Sequence, residues 1–99
     1  MLNRDVLNLL GLAICSKNLV TGDNVLKNIR NQKACLVIVS EDASANTKKQ
    51  LLDKCSYYGI ECIIKGDSYS ISKAIGKNNR VAVAILDKNF ADKIKEKIG

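Results

Sequence analysis

Five consecutive apolar residues, Cys35-Leu36-Val37-Ile38-Val39, lie in the first half of the chain. No polar residue alternates with them, so a strand here has no face to offer to water. It must be covered on both sides, which is the signature of a sheet sandwiched between helices and not of a sheet with one wet face. The flanking segments supply the covering layers. Leu2, Val6, Leu10, Ala13 and Ile14 recur at helical spacing, with Asn3 placed to cap. Leu19-Val20-Thr21 is a short strand candidate, and a second helix runs from about Gly22 to Asn31.

The same alternation continues past the apolar run. Ser44 is placed to cap a third helix that turns Thr47, Leu51, Cys55 and Tyr58 inward and stops at Gly59. Ile60 to Lys65 is a strand. Ser68 is placed to cap a short fourth helix with Ile71, Ala74 and Ile75, closed by Gly76. Val81 to Leu86 is the last strand, and Phe90, Ile94 and Ile98 mark a terminal amphipathic helix. Helices alternating with apolar strands predict an α/β fold, a three-layer α/β/α sandwich around a small mixed four-stranded sheet. At 99 residues, without a linker or a repeat, residues 1–99 are expected to form one domain.

Charge is unevenly placed. The net charge is +6, and two segments hold the whole excess. Lys17, Lys27, Arg30 and Lys33 face only Asp23 across residues 17–33. Lys65, Lys73, Lys77 and Arg80 face only Asp67 across residues 65–80. In open α/β sheets the loops at one end of the strands gather into a binding rim. The turn after Val20 and the loop from Gly76 to Arg80 are candidates for one such rim, which would merge the two segments into a surface for a polyanion. A solvated lysine-rich surface is the plainer alternative.

The second helix is the sharper signal. It opens at Thr21 or Gly22 with its first backbone N–H groups free, and such an end attracts anions. Asn24, Lys27, Asn28 and Asn31 share one polar face, while Val25 and Ile29 turn to a core. Amides and a cation therefore stand where a phosphate or a base edge could meet them.

Other chemistry is poorly supplied. The chain has no histidine to serve as a base near neutral pH, and no Walker-type phosphate loop. Glu41-Asp42 follows a strand, where metal-binding carboxylates occur in some α/β enzymes, but no third ligand is evident. Asp42 and Ser44 are read instead as caps of the third helix. Cys15, Cys35, Cys55 and Cys62 lack zinc-ligand spacing and read as reduced core thiols. Tyr57 and Tyr58 suggest base stacking, but sit away from the proposed rim. No apolar run approaches the ~20 residues of a membrane span, and the start, Met1-Leu2-Asn3-Arg4-Asp5, does not read as a signal peptide. The expectation is a cytoplasmic protein that is not an enzyme, with no cofactor, metal, membrane or small-molecule substrate.

Several motifs in order resemble a known family. They are Leu9-Leu10-Gly11-Leu12-Ala13, Lys17-Asn18-Leu19-Val20-Thr21-Gly22, Val25-Leu26-Lys27-Asn28-Ile29-Arg30 and Lys33-Ala34-Cys35-Leu36-Val37. Asp42-Ala43-Ser44-Ala45-Asn46-Thr47-Lys48-Lys49, Ile71 to Gly76 and Arg80-Val81-Ala82-Val83-Ala84-Ile85 continue the match. Together they resemble the YlxQ-like bacterial proteins, within the superfamily of the seven-Ae and thirty-e large-subunit ribosomal proteins.

The resemblance implies an α/β/α sandwich that binds kink-turn RNA, a bent internal loop with tandem sheared G·A pairs. It implies that the start of the second helix enters the widened groove, with Asp23 and Asn24 as the polar pair and Lys27 as the lysine that reads guanine edges. Thr21 and Gly22 would let the backbone approach closely. It also implies that the loop Lys77-Asn78-Asn79-Arg80-Val81-Ala82 packs on extruded bases, with Val81 and Ala82 as apolar surface and Lys77 and Arg80 as cations. This sequence departs from the family where Thr21 and Ser72 stand, since glycine is common at both places, and at the polar pair Asp23-Asn24, which is Asn-Glu in archaeal members. A protein-interaction or regulatory module on the same fold, without direct RNA binding, is the alternative from another class.

Overall fold

A computed structural model describes residues 2–98. The elements follow in chain order: α1 (Arg4–Cys15), β1 (Leu19–Thr21), α2 (Asp23–Arg30), β2 (Leu36–Val39), α3 (Ala45–Tyr58), β3 (Glu61–Ile64), α4 (Ser68–Ala74), β4 (Ala82–Ile85) and α5 (Lys88–Ile98). The four strands form one sheet in the order β1-β4-β2-β3. β4 is antiparallel to both β1 and β2, and β2 is parallel to β3, so the sheet is mixed as expected.

The apolar run explains itself in this register. Every residue of β2 and β4 is buried. Leu36 and Ile38, with Val83 and Ile85, face a cluster completed by Val6 and Leu10 of α1, Ile71 of α4 and Ile94 of α5. Val37 and Val39, with Ala82 and Ala84, face Val25 and Ile29 of α2 and Leu51 and Cys55 of α3. The small alanines on that second face leave room for α2. Each fully buried Val, Leu or Ile contributes about 1.5–3 kcal/mol of burial free energy, which holds the two central strands as the common floor of both helix layers. On the first face, Gly11 permits a close approach of α1 to α4. A Cβ there would stand 3.0 Å from the Ala74 carbonyl oxygen.

Three expectations need correction. β3 is an edge strand with Glu61 exposed and the rest half-buried, so burial on both faces does not extend to it. The cap of α4 is Asp67, whose carboxylate accepts from the Ser70 N–H at 2.9 Å, and Ser68 is already inside the helix. Asp42 does not cap α3. Its two oxygens accept from the Ser68 N–H and hydroxyl at 3.0 and 2.7 Å, and Ser44 caps α3 without it. The Ser68 hydroxyl bond holds the Asp42 carboxyl below the usual carboxylate range.

The cysteines divide as well. All four are free thiols, but only Cys55 is buried, and Cys15 is exposed at the end of α1. A hydrogen bond with the Cys62 sulfur and its own burial push the Cys55 thiol up, the condition of an inert core thiol. Among the described residues, no helix is long and apolar enough to cross a membrane.

Candidate nucleic-acid interface

α2 starts abruptly because of one residue. Gly22 stands at its N-cap with φ +65° and ψ −141°, a conformation that L side chains rarely adopt, and no side chain caps the helix. The Gly22 carbonyl accepts from the Val25 N–H at 3.1 Å, closing the first turn. The amides ahead of it remain directed outward, where partial positive charge concentrates. Asp23, Asn24 and Lys27 are exposed, and their side chains make no hydrogen bond or ion pair among the described residues. Asn28 is different. Its side-chain amide donates to the Asn24 carbonyl at 2.8 Å and it is half-buried, so one member of the expected polar face braces the helix instead.

The expected rim exists. The Thr21 hydroxyl donates to the Ala82 carbonyl at 2.9 Å, tying the end of β1 to the start of β4. Thr21 pairs with Val83 at the end of the β1–β4 ladder, so the turn into α2 and the loop before β4 emerge side by side. Between them and the first turns of α3 lies a groove of about 260 Å³. Gly22, Asp23, Asn79, Arg80, Val81 and Ala82 are among its lining residues. Val81 is half-buried, whereas Ala82 is only 8% exposed.

The loop before β4 is held firmly. Buried Ser72 of α4 bridges it: the Arg80 N–H donates to the Ser72 hydroxyl at 2.8 Å, and that hydroxyl donates to the Arg80 carbonyl at 3.2 Å. The Lys77 N–H donates to the Ser72 carbonyl at 2.9 Å, and Asn79 takes a left-handed conformation at φ +56°. Arg80 curls onto its own loop, with Nη1 donating to the Asn78 carbonyl at 3.1 Å and a buried Nε that has no partner among the described residues. Lys77 is exposed.

The departures at residues 21 and 72 acquire a local reason. The positive φ falls on residue 22, so glycine is needed there and Thr21 is free to use its hydroxyl as a tie. A serine at residue 72 supplies the two bonds that glycine lacks. The sequence marks Ser72 only as a departure and not as a bridge to the loop, and it does not single out Leu26, Thr47 and Gln50 as groove residues. Thr47 and Gln50 stand three apart on α3, one helical face, which is the signal that could have placed them together.

The two basic segments do not merge completely. Lys65 donates to the Ile98 carbonyl at 2.8 Å and serves the end of α5. Lys33 follows the far end of α2, about 12 Å from its start at helical rise. Tyr57 is 81% exposed and packs edge-on against Tyr58 at 4.9 Å, at the other end of α3 from the groove.

The sequence pattern of the ribosomal protein L7Ae/L30e/S12e/Gadd45 family matches residues 4–95. A Bacillus subtilis (strain 168) relative called RNA-binding protein YlxQ is 44% identical over 87 residues, 87% of each chain. A protein of the same name from Enterococcus faecium is 44% identical over 93 residues, 93% of this chain and 89% of that one. Among solved structures, a protein with unknown function from Bacillus halodurans C superposes with a TM-score of 0.92 at 40% identity, covering 97% of this chain and 98% of the other. The Giardia lamblia 15.5kD RNA binding protein superposes at 0.76 with 20% identity, covering 98% and 88%, a likeness of fold.

Proposed function

Because the chain belongs to the ribosomal protein L7Ae/L30e/S12e/Gadd45 family, we propose that it is a non-enzymatic, cytoplasmic RNA-binding protein that recognises kink-turn or similarly bent structured RNA. The observation that carries this reading is the bond between the Thr21 hydroxyl and the Ala82 carbonyl. It fixes the uncapped start of α2 beside the loop before β4, as two walls of one groove. The names of the relatives from Bacillus subtilis and Enterococcus faecium support RNA as the partner.

The residues divide the work by their chemistry. A bent internal loop exposes base edges and extruded nucleotides that a regular RNA helix hides. Asn24 can both donate and accept at a base edge, and the Asp23 carboxylate accepts from guanine N–H groups. Lys27, one turn further, donates to guanine acceptors or a phosphate. Thr21 and Gly22 keep side-chain bulk away from the approaching backbone. Val81, with the edge of Ala82, supports an unstacked base, while Lys77 and the remaining Arg80 amino group meet phosphates. Binding of the bent form alone shifts the RNA population toward it, and no cofactor or metal enters.

A titration against a simple kink-turn, with a control RNA lacking the G·A pairs, tests the reading. Lys27→Ala should weaken binding by roughly 1–3 kcal/mol, and affinity should fall as salt rises through counterion release. Equal binding of the two RNAs by the wild-type protein would sink the proposal. Wild-type affinity in Lys27→Ala would remove Lys27 from the interface.

A further inference from the structure

A second groove adjoins the first. It lies between α4 and the loop before β4, has a volume of about 490 Å³, and is lined by Tyr69, Ser72, Lys73, Lys77, Asn78 and Asn79 among others. Asn79 lines both grooves, so the two meet at that residue. The size is within the range of sites that hold small ligands.

The lining has a defined chemistry. Tyr69 is 71% exposed, on a helix whose other face is buried at Ile71. Lys73 holds its ammonium over the Tyr69 ring, 5.9 Å from the centroid. Lys77 and the two asparagine amides complete the wall, and no carboxylate is among the lining residues. The opposite wall is rigid, because Ser72 pins the loop at Lys77 and Arg80. An aromatic platform beside two cations and two amides matches a nucleotide: the base stacks, the phosphate meets ammonium groups, and the amides serve base edges or ribose hydroxyls.

We propose that this groove binds an unpaired nucleotide of the same RNA, stacked on Tyr69 with its phosphate at Lys73 and Lys77. The inference rests on the RNA-binding reading of the first groove, and it extends the footprint across α4. The apolar residue in the wall is a flat ring set among cations, which favours a nucleic acid over an apolar peptide.

The test uses the full chain and two RNAs, a kink-turn alone and the same kink-turn carrying a short unpaired uridine tract. Tyr69→Ala should weaken binding of the extended RNA about tenfold and leave binding of the unextended RNA unchanged. Tyr69→Phe should restore the extended RNA, and Lys27→Ala should weaken both. A 4-thiouridine in the tract should crosslink to the peptide containing Tyr69. Tyr69→Ala with wild-type affinity for both RNAs, or with equal losses on both, overturns the inference. So does a Tyr69-dependent acidic peptide partner with RNA affinity untouched. If wild type ignores the unextended kink-turn, the first-groove reading fails by itself. The free uridine tract then decides the second groove: a tenfold Tyr69 effect supports it and none overturns it.

Discussion

α2 and α3 lie side by side on one face of the sheet and start in opposite ways. α3 begins on Ser44, whose hydroxyl oxygen accepts from the Thr47 N–H at 3.2 Å and donates to the Thr47 hydroxyl at 2.9 Å. α2 begins on Gly22 with no side-chain cap. Both helices bury their apolar residues in one cluster, Val25 and Ile29 from α2 beside Leu51 and Cys55 from α3. Burial therefore accounts for the presence of both helices, and the difference at their starts is not required by the fold. Glycine in place of a capping side chain costs only about a few tenths of a kcal/mol, so α2 forgoes little and keeps its first amides outward. One helix end is closed for stability, and its neighbour is left open toward the groove.

The most damaging way to disturb that contrast is at Gly22. A Cβ on residue 22 would meet nothing within 4 Å, so the obstacle is conformational and not steric. Gly22→Ala must either hold a strained backbone, at about 1–3 kcal/mol, or turn the start of α2 and loosen the tie between Thr21 and Ala82. Chemical denaturation should show a lowered midpoint with an unchanged slope. RNA titration should show a larger loss than the stability change explains. Unchanged stability would mean that the positive φ is dispensable and that the open start has another cause.

The closed start should respond less and in one currency only. Ser44→Ala removes the acceptor for the Thr47 N–H and should cost about 1 kcal/mol of stability while RNA affinity stays as it was. Thr47 lines the groove, so a loss of RNA affinity in this variant would show that the two helix starts act together, and the contrast drawn between them would need revision.

How far this contrast could be read in advance depends on what encodes each part. The apolar run from Cys35 to Val39 announced a strand covered on both faces, because burial leaves a pattern in residue type. Ser44 announced its cap for the same reason, since only a few side chains perform that task. The rim was legible as two segments, the turn after Val20 and the loop before the last strand, but not as a contact. The hydroxyl bond from Thr21 to Ala82 joins residues 61 positions apart, and no local pattern encodes it. The bridging role of Ser72 was hidden for a related reason. A serine in a helical stretch is commonplace, and its importance comes from a loop that folds back eight residues later. Asp42 misled because a carboxylate just before a helix usually caps that helix. Here a turn arriving from β3 offers it a better donor pair in Ser68, while Gly66 donates to Glu41 at 3.1 Å.

Asp42 provides the smallest and cleanest perturbation, because it sits just before α3 and its hydrogen bonds go to Ser68 at the start of α4, not to the open start of α2. Its folded-state carboxyl is held below the ordinary value by the Ser68 hydroxyl bond, so the ionised form is the one the fold prefers. A depressed carboxylate stabilises the protein above its unfolded-state value of about 3.9 and loses that contribution as pH falls through the lower folded value. Asp42→Asn can still accept from the Ser68 N–H, but it offers the Ser68 hydroxyl an amide where an oxygen stood. The variant should therefore melt slightly below wild type at neutral pH, and the two curves should converge as pH drops below about 3.9. Affinity for the kink-turn without an unpaired tract should not move at neutral pH, since Ser68 lines only the second groove. A gap in melting temperature that persists unchanged in acid would show that Asp42 acts through shape and not through charge. A loss of RNA affinity would place the turn at residues 66–68 within reach of the ligand and extend the open region beyond α2.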